Sequence, residues 1–260
     1  MSRFYVPKEA VSGNRITISG KEAHHILDVM RLKVSDTVTV FDGTGKEYTG
    51  IVKEAHRRSL SLEITATRSA ARKERHSVTL IQAIPKKEKM DYIVEKATEL
   101  GVERIIPVMT ERTIPDWGES KKAGIVERWR KISLESAKQC GRADLPEINP
   151  IISFRELICH CEEPKAIASP INRLATAVWV YDLKLIAALN DRAIKLKDAL
   201  KSCPPGKVAI AIGPEGDFTT QEIALCEKSG FKLVSLGPRV LKSDTAGLAA
   251  LAAINYEYQY

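Results

Sequence analysis

The chain has 260 residues, 44% of them hydrophobic and 28% charged, a composition that supports a substantial core and excludes disordered, collagen-like and disulfide-scaffold classes. Lys and Arg number 40 against 33 Asp and Glu, a formal charge of +7, which permits an anionic partner without demanding one. A length above the ~100 to 200 residues of a usual domain predicts two compact units.

The first 72 residues read as short strands. Arg15–Ile18 and Thr37–Phe41 alternate polar and apolar side chains, Asp42–Gly45 is a turn, and Tyr48–Val52 and Ser59–Ile64 resume the period of two. A small antiparallel barrel or sandwich is expected, with one short helix around His24 to Met30. A basic stretch from Arg68 to His76 then marks a boundary near residue 72.

Beyond it the rhythm is α/β. Val78–Ile84 is a nearly continuous apolar strand, Met90, Ile93, Val94, Ala97 and Leu100 recur at helical spacing, and Arg104–Val108 is a second strand. Such a βαβ unit predicts a parallel sheet covered on both faces. Ile125, Trp129, Ile132 and Ser136 mark a helix, Ser153 and Glu156 a capping box, and Ala177–Tyr181 a buried strand. In the last third, strand Lys207–Ile212 leads through Gly213–Phe218 to a helix capped by Thr219 and Glu222 and closed by Gly230. Strand Phe231–Leu236, a loop from Gly237 to Asp244 and an Ala/Leu-rich helix from Thr245 complete the chain.

In a parallel sheet, ligands bind where Gly-rich loops leave the carboxyl ends of strands. Gly213-Pro214-Glu215-Gly216 and Leu236-Gly237-Pro238-Arg239-Val240-Leu241 both stand in that relation. Neither fits a phosphate-binding pattern, which argues against nucleotide hydrolysis and for a ligand held by backbone groups. His24-His25 lacks further ligands at metal spacing, and Cys159-His160-Cys161 lacks a second Cys pair, so no metal is expected. Five cysteines, an odd number, predict free thiols in a reducing compartment. An N-terminus without an apolar segment predicts a cytoplasmic protein.

These two loops, with Thr245-Ala246, strongly resemble the SPOUT methyltransferases of the ribosomal RNA small subunit methyltransferase E family. Arg3-Phe4, His24-His25, Val29-Met30-Arg31-Leu32, Phe41-Asp42-Gly43, Lys96 to Val102, Glu111-Arg112 and Gln139-Cys140-Gly141-Arg142 agree in order, so the resemblance covers essentially the whole chain. It implies a PUA-like β-barrel RNA-binding domain (1–72) and an α/β SPOUT methyltransferase domain with a deep trefoil knot (73–260). It further implies a homodimer and transfer of a methyl group from S-adenosyl-L-methionine to N3 of one uridine in 16S ribosomal RNA of the small subunit.

Carried over residue by residue, the resemblance places Ile212, Gly213, Glu215, Gly216, Leu236, Gly237, Val240, Leu241 and Thr245 around the cofactor. The loop after Val180-Tyr181 is the expected third contact. The family usually has Gly where Asp217 stands, Arg at Lys242 and Glu at Asp244. N3 must lose a proton, so a carboxylate that accepts it or a base-stabilising cation is required; Arg142, Glu215 and Asp244 are the candidates. The first 72 residues carry 12 Lys and Arg against 8 Asp and Glu, and Arg3, Arg31, Lys86, Lys87 and Arg112 are the candidate RNA contacts. The alternative reading is a non-catalytic RNA-binding protein on the same scaffold, which predicts degraded glycine loops; these are intact.

Overall fold

A computed structural model describes residues 3–69, 76–86, 89–113, 117–161 and 179–259. The chain divides into two compact units, Met1–Lys73 with Ser133–Leu145, and Glu74–Ile132 with Pro146–Tyr260.

The first unit is a six-stranded sheet. Its strands are β1 (Arg3–Tyr5), β2 (Val11–Ser12), β3 (Arg15–Ser19), β4 (Thr37–Phe41), β5 (Lys46–His56) and β6 (Ser59–Ser69), ordered β1-β4-β5-β6-β3-β2. All pairs are antiparallel except β1 with β4. The alternation read in the sequence becomes a buried face of Ile16, Ile18, Val38, Val40, Leu60 and Leu62. Helix α1 (Gly20–His24) runs into a π-helical turn over His25–Val29, so helical structure begins four residues before the predicted His24. At the predicted turn, the buried Asp42 carboxylate accepts hydrogen bonds from Thr44 N, Thr44 Oγ1 and Tyr48 OH. Burial opposes ionisation there, yet these donors prevail and hold the Asp42 carboxyl below its ordinary range.

The sequence reading leaves residues 133–145 with the larger domain, whereas the structure groups them with the barrel. Lys138 pairs with Glu22, Gly45 N donates to Ala143 O, and Leu145 N donates to Gly43 O. These three links, invisible in a continuous helical pattern, hold the segment to the first unit.

The second unit is built on a parallel sheet of β7 (Ser77–Ala83), β8 (Arg104–Met109), β9 (Glu147–Ile148), β10 (Ile152–Ser153), β11 (Leu183–Ala187), β12 (Ile194–Lys195), β13 (Lys207–Ile212) and β14 (Lys232–Ser235). Its order is β10-β8-β7-β13-β11-β14-β12, with β9 on β8. The helices are α2 (Lys89–Glu99), the part of α3 (Glu119–Cys140) up to Ile132, α4 (Phe154–Cys161), α5 (Leu196–Lys201), α6 (Thr220–Lys228) and α7 (Ser243–Gln259). Continuous apolar strands bury both faces. Val208, Ile210 and Ile212 of β13 join a core with α2, α7 and Trp129 of α3, while Ala209 and Ala211 face a second core with Phe154 of α4 and Cys226 of α6.

Both predicted capping boxes are formed. Glu222 N donates to Thr219 Oγ1 and Thr219 N to Glu222 Oε2; the same reciprocal pair joins Ser153 and Glu156.

The predicted strand at Ala177–Tyr181 is corrected. Ala177 and Val178 lie outside the described residues, and Trp179, Val180 and Tyr181 precede the strand, which begins at Leu183. Lys184 interrupts the apolar run at the true strand and disguised it. Its ammonium donates to Cys161 O and Ser229 O, so the strand accommodates a cation whose partners are distant in sequence.

Candidate active site

In this sheet β11, β13 and β14 are adjacent and parallel, and register levels their ends. Ala187 pairs with Ile212 on one side and with Val234 on the other. Three loops therefore leave the sheet side by side, and between them lies a cavity of about 250 Å³. Its wall is formed by Ala187–Leu189 at the end of β11 and beyond, Ile212–Glu215 and Asp217 at the end of β13 and beyond, and Val234–Gly237 with Arg239–Ser243 at the end of β14 and beyond. Most of these side chains are small or aliphatic. Leu189 and Val240, 66% and 74% exposed, flank it with apolar surface, and Arg239 and Lys242 supply positive charge.

Two glycines have local reasons to be there. A Cβ on Gly213 would stand 3.0 Å from Asp217 Oδ1 and 3.2 Å from Phe218 N, so the turn leaves no room for a side chain. Gly237 has φ +135°, a conformation other residues reach only with strain. The loop start at Gly213 is pinned from behind: Ser243 Oγ donates to Gly213 O (2.6 Å) and accepts from Gln82 Nε2 (3.0 Å). Gln82 is fully buried at the end of β7, so the chain leaving β14 crosses the ends of β11 and β13 to start α7 beside β7.

Of the residues expected around the cofactor, Ile212, Gly213, Glu215, Leu236, Gly237, Val240 and Leu241 line the cavity, whereas Gly216, Thr245, Val180 and Tyr181 do not. Gly216 accepts a hydrogen bond at its carbonyl from Arg112 Nη1. Thr245 is exposed. Because β11 starts at Leu183, the third loop is Ala187–Leu189 rather than the segment after Val180 and Tyr181.

Asp217 N donates to Pro214 O, closing a turn that presents Glu215. Its carboxylate accepts from Lys89 Nζ (2.8 Å) and from Lys86 N (3.1 Å). Burial raises the Glu215 pKa, but these donors outweigh it and leave it below the ordinary carboxylate value. The hydrogen bond to Glu215 in turn raises the Lys89 pKa, aided by the negative charge of Asp244. Glu215, Lys89 and Asp244 thus form one electrostatic cluster. Lys89 was missed in the sequence because the run Lys86-Lys87-Glu88-Lys89 reads as a solvated helix start.

Arg142 belongs to the first unit, where Nε and Nη2 donate to Asp144 Oδ2 at 3.0 and 2.7 Å. Among the RNA candidates, Arg31, Lys86 and Arg112 are exposed, and Lys87 lies outside the described residues. Arg3 pairs with the buried Glu47 and sits over the Phe41 ring, with a side chain only 13% exposed. A groove the sequence did not reveal is lined by Lys21, His24, His56, Arg57 and Arg58. His24 pairs with Asp28, while Lys21, Arg57 and Arg58 project into solvent. Among the described residues no group of three metal-ligating side chains occurs, and no helix is long and apolar enough to cross a membrane.

Residues 72–255 match the model of an RNA methyltransferase domain and residues 18–65 that of an RNA methyltransferase PUA domain. The ribosomal RNA small subunit methyltransferase E of Synechocystis is 31% identical, spanning 97% of this chain and 77% of that protein; that of Bacillus subtilis is 26% identical, spanning 99% and 97%. The crystal structure of the Neisseria gonorrhoeae ribosomal RNA small subunit methyltransferase E bound to S-adenosyl methionine superposes with a TM-score of 0.80 at 32% identity, covering 99% of this chain and 98% of that one. The barrel and the parallel sheet are accordingly the PUA-like and SPOUT domains of that fold. The chain belongs to the ribosomal RNA small subunit methyltransferase E family of RNA methyltransferases.

Proposed function

We propose that the protein transfers a methyl group from S-adenosyl-L-methionine to N3 of one uridine in 16S ribosomal RNA, acting in the cytoplasm as a homodimer on RNA within the small ribosomal subunit. The observation that carries this reading is the cavity at the levelled ends of β11, β13 and β14, the place where an open parallel sheet takes its ligand. Its residues fit the cofactor: backbone groups of Gly213 and Gly237, apolar flanks at Leu189 and Val240 for an adenosyl group, and no phosphate cradle. The return of α7 to β7 across two strand ends supports the knotted path expected of the family.

S-adenosyl-L-methionine supplies a methyl group already activated by its sulfonium. The chain's share is positioning, an effect worth up to ~7 to 11 kcal/mol in a well-aligned site, together with handling the N3 proton. Glu215 stays ionised at neutral pH because Lys89 and Lys86 N hold it. Such a carboxylate is a weak base, so its stronger contribution is to fix Lys89 beside Asp244. Asp244 Oδ1 accepts from Thr245 N, and Asp244 is the candidate to accept the N3 proton. Arg142 is the candidate read from the sequence to stabilise the uracil anion that develops. Phosphate contacts come from Arg31, Lys86 and Arg112, joined by the exposed Lys21, Arg57 and Arg58 of the barrel groove.

Calorimetric titration with S-adenosylhomocysteine tests the cofactor half of this reading. Saturable one-site binding is expected, and no detectable heat at millimolar ligand, with the protein folded by circular dichroism, would overturn it.

A further inference from the structure

Asp217 has φ +61°, a left-handed conformation that a non-glycine residue adopts at a cost, Asp and Asn least. Both oxygens of the carboxylate that accompanies this backbone accept hydrogen bonds. Oδ1 accepts from Phe218 N at 2.8 Å, and Oδ2 accepts from Leu189 N at 3.0 Å. The first bond lies within the loop after β13. The second reaches the loop after β11, and both Asp217 and Leu189 line the cavity.

We propose that Asp217 is a positioning residue that latches the β11 loop to the β13 loop and so holds two of the three cavity walls at a fixed separation. The inference rests on the cofactor reading above for its consequence, though not for its geometry. Glycine, the residue expected at this position from the family resemblance, would relieve the backbone conformation and forfeit both hydrogen bonds. The side chain explains why a strained Asp is kept: the Leu189 backbone N–H gains a charged acceptor, a stronger partner than a neutral one. Leu189 itself is 66% exposed, so its side chain has little packing to anchor the loop; Ala188 N donates to Val234 O on the β14 side, and the bond to Asp217 is the tie to the β13 loop. A wall held in place before the ligand arrives lowers the ordering cost of binding.

The test compares wild type, Asp217→Gly and Asp217→Asn. Glycine keeps the backbone angle and removes the latch; asparagine keeps the angle and one acceptor oxygen. Two readouts are taken: amide hydrogen exchange of the free protein, and the dissociation constant for S-adenosylhomocysteine. The latch predicts that exchange at Leu189 accelerates at least about tenfold in Asp217→Gly while Ala209 in β13 remains protected. It also predicts an affinity about tenfold weaker, equivalent to ~1.4 kcal/mol, with Asp217→Asn between the two. In steady state, KM for S-adenosyl-L-methionine rises by more than kcat falls. Unchanged Leu189 exchange, or affinity within twofold of wild type, overturns the latch. Accelerated exchange across β13 as well assigns Asp217 a merely structural role and also overturns it. Should Asp217→Gly not fold, Asp217→Asn decides by the same criteria. A wild type that fails to bind S-adenosylhomocysteine defeats the cofactor reading alone, since Leu189 exchange still tests the latch.

Discussion

Lys89 Nζ lies 2.8 Å from Glu215 Oε1, joining the first residue of α2 to the turn after β13. Both side chains are less than one-third exposed, and the pair contributes about 1 kcal/mol. The folded pKa of Glu215 is depressed and that of Lys89 raised. The stabilisation is therefore complete between the unfolded values, about 4.3 for Glu and about 10.4 for Lys. It is lost as pH falls through the folded Glu215 value or rises through the folded Lys89 value. Lys89→Met removes one partner, so its urea stability depends less steeply on pH below about 4.3 than wild type.

Ser243→Ala removes the hydroxyl that links Gln82 to Gly213 O. Both Ser243 and Gln82 are buried, so the variant leaves polar atoms without this partner and loses ~1 to 3 kcal/mol. Differential scanning calorimetry should show the melting temperature lowered by roughly 2 to 4 °C per kcal/mol.

Gly213→Val and Gly237→Val fail for different reasons. At Gly213 the new Cβ meets Asp217 and Phe218. At Gly237 nothing lies within 4 Å, and the φ of +135° is the obstacle. Both variants should lose S-adenosylhomocysteine binding with the circular dichroism spectrum retained, and wild-type affinity in either contradicts the loop assignment.

Arg142→Ala is expected to lose methyl transfer with affinity for S-adenosylhomocysteine nearly unchanged. Single-turnover kinetics with saturating cofactor separates the two effects, and normal turnover refutes the assignment.

Replacing Arg57 and Arg58 together by Gln removes two exposed charges from the barrel groove. RNA affinity should fall, and the slope of log K against log salt should become shallower by roughly 0.7 to 0.9 for each phosphate the protein no longer neutralises.

The sequence exposed the loops at Gly213 and Gly237 because local signals coincide there: an unbroken apolar strand, a glycine turn and, at Thr219, a capping box that the structure forms in full. It misled at the third loop. Ala177–Tyr181 is richer in strand-forming residues than Leu183–Ala187, and the partners that tolerate Lys184 within β11 lie at Cys161 and Ser229. Lys89 stayed hidden for a related reason. Its significance comes from Glu215, 126 residues further along the chain, and no local pattern encodes that pairing. The pairing of Arg3 with Glu47 is hidden in the same way, since 44 positions separate the two residues.

Methyl transfer to uridine N3 is tested by incubating the purified protein with isotopically labelled S-adenosyl-L-methionine and small ribosomal subunits lacking the modification, then analysing nucleosides of the 16S ribosomal RNA by mass spectrometry. Labelled 3-methyluridine at a single position, absent with Gly213→Val, is the predicted result. No label, or label in a different nucleoside, would contradict methyl transfer to uridine N3.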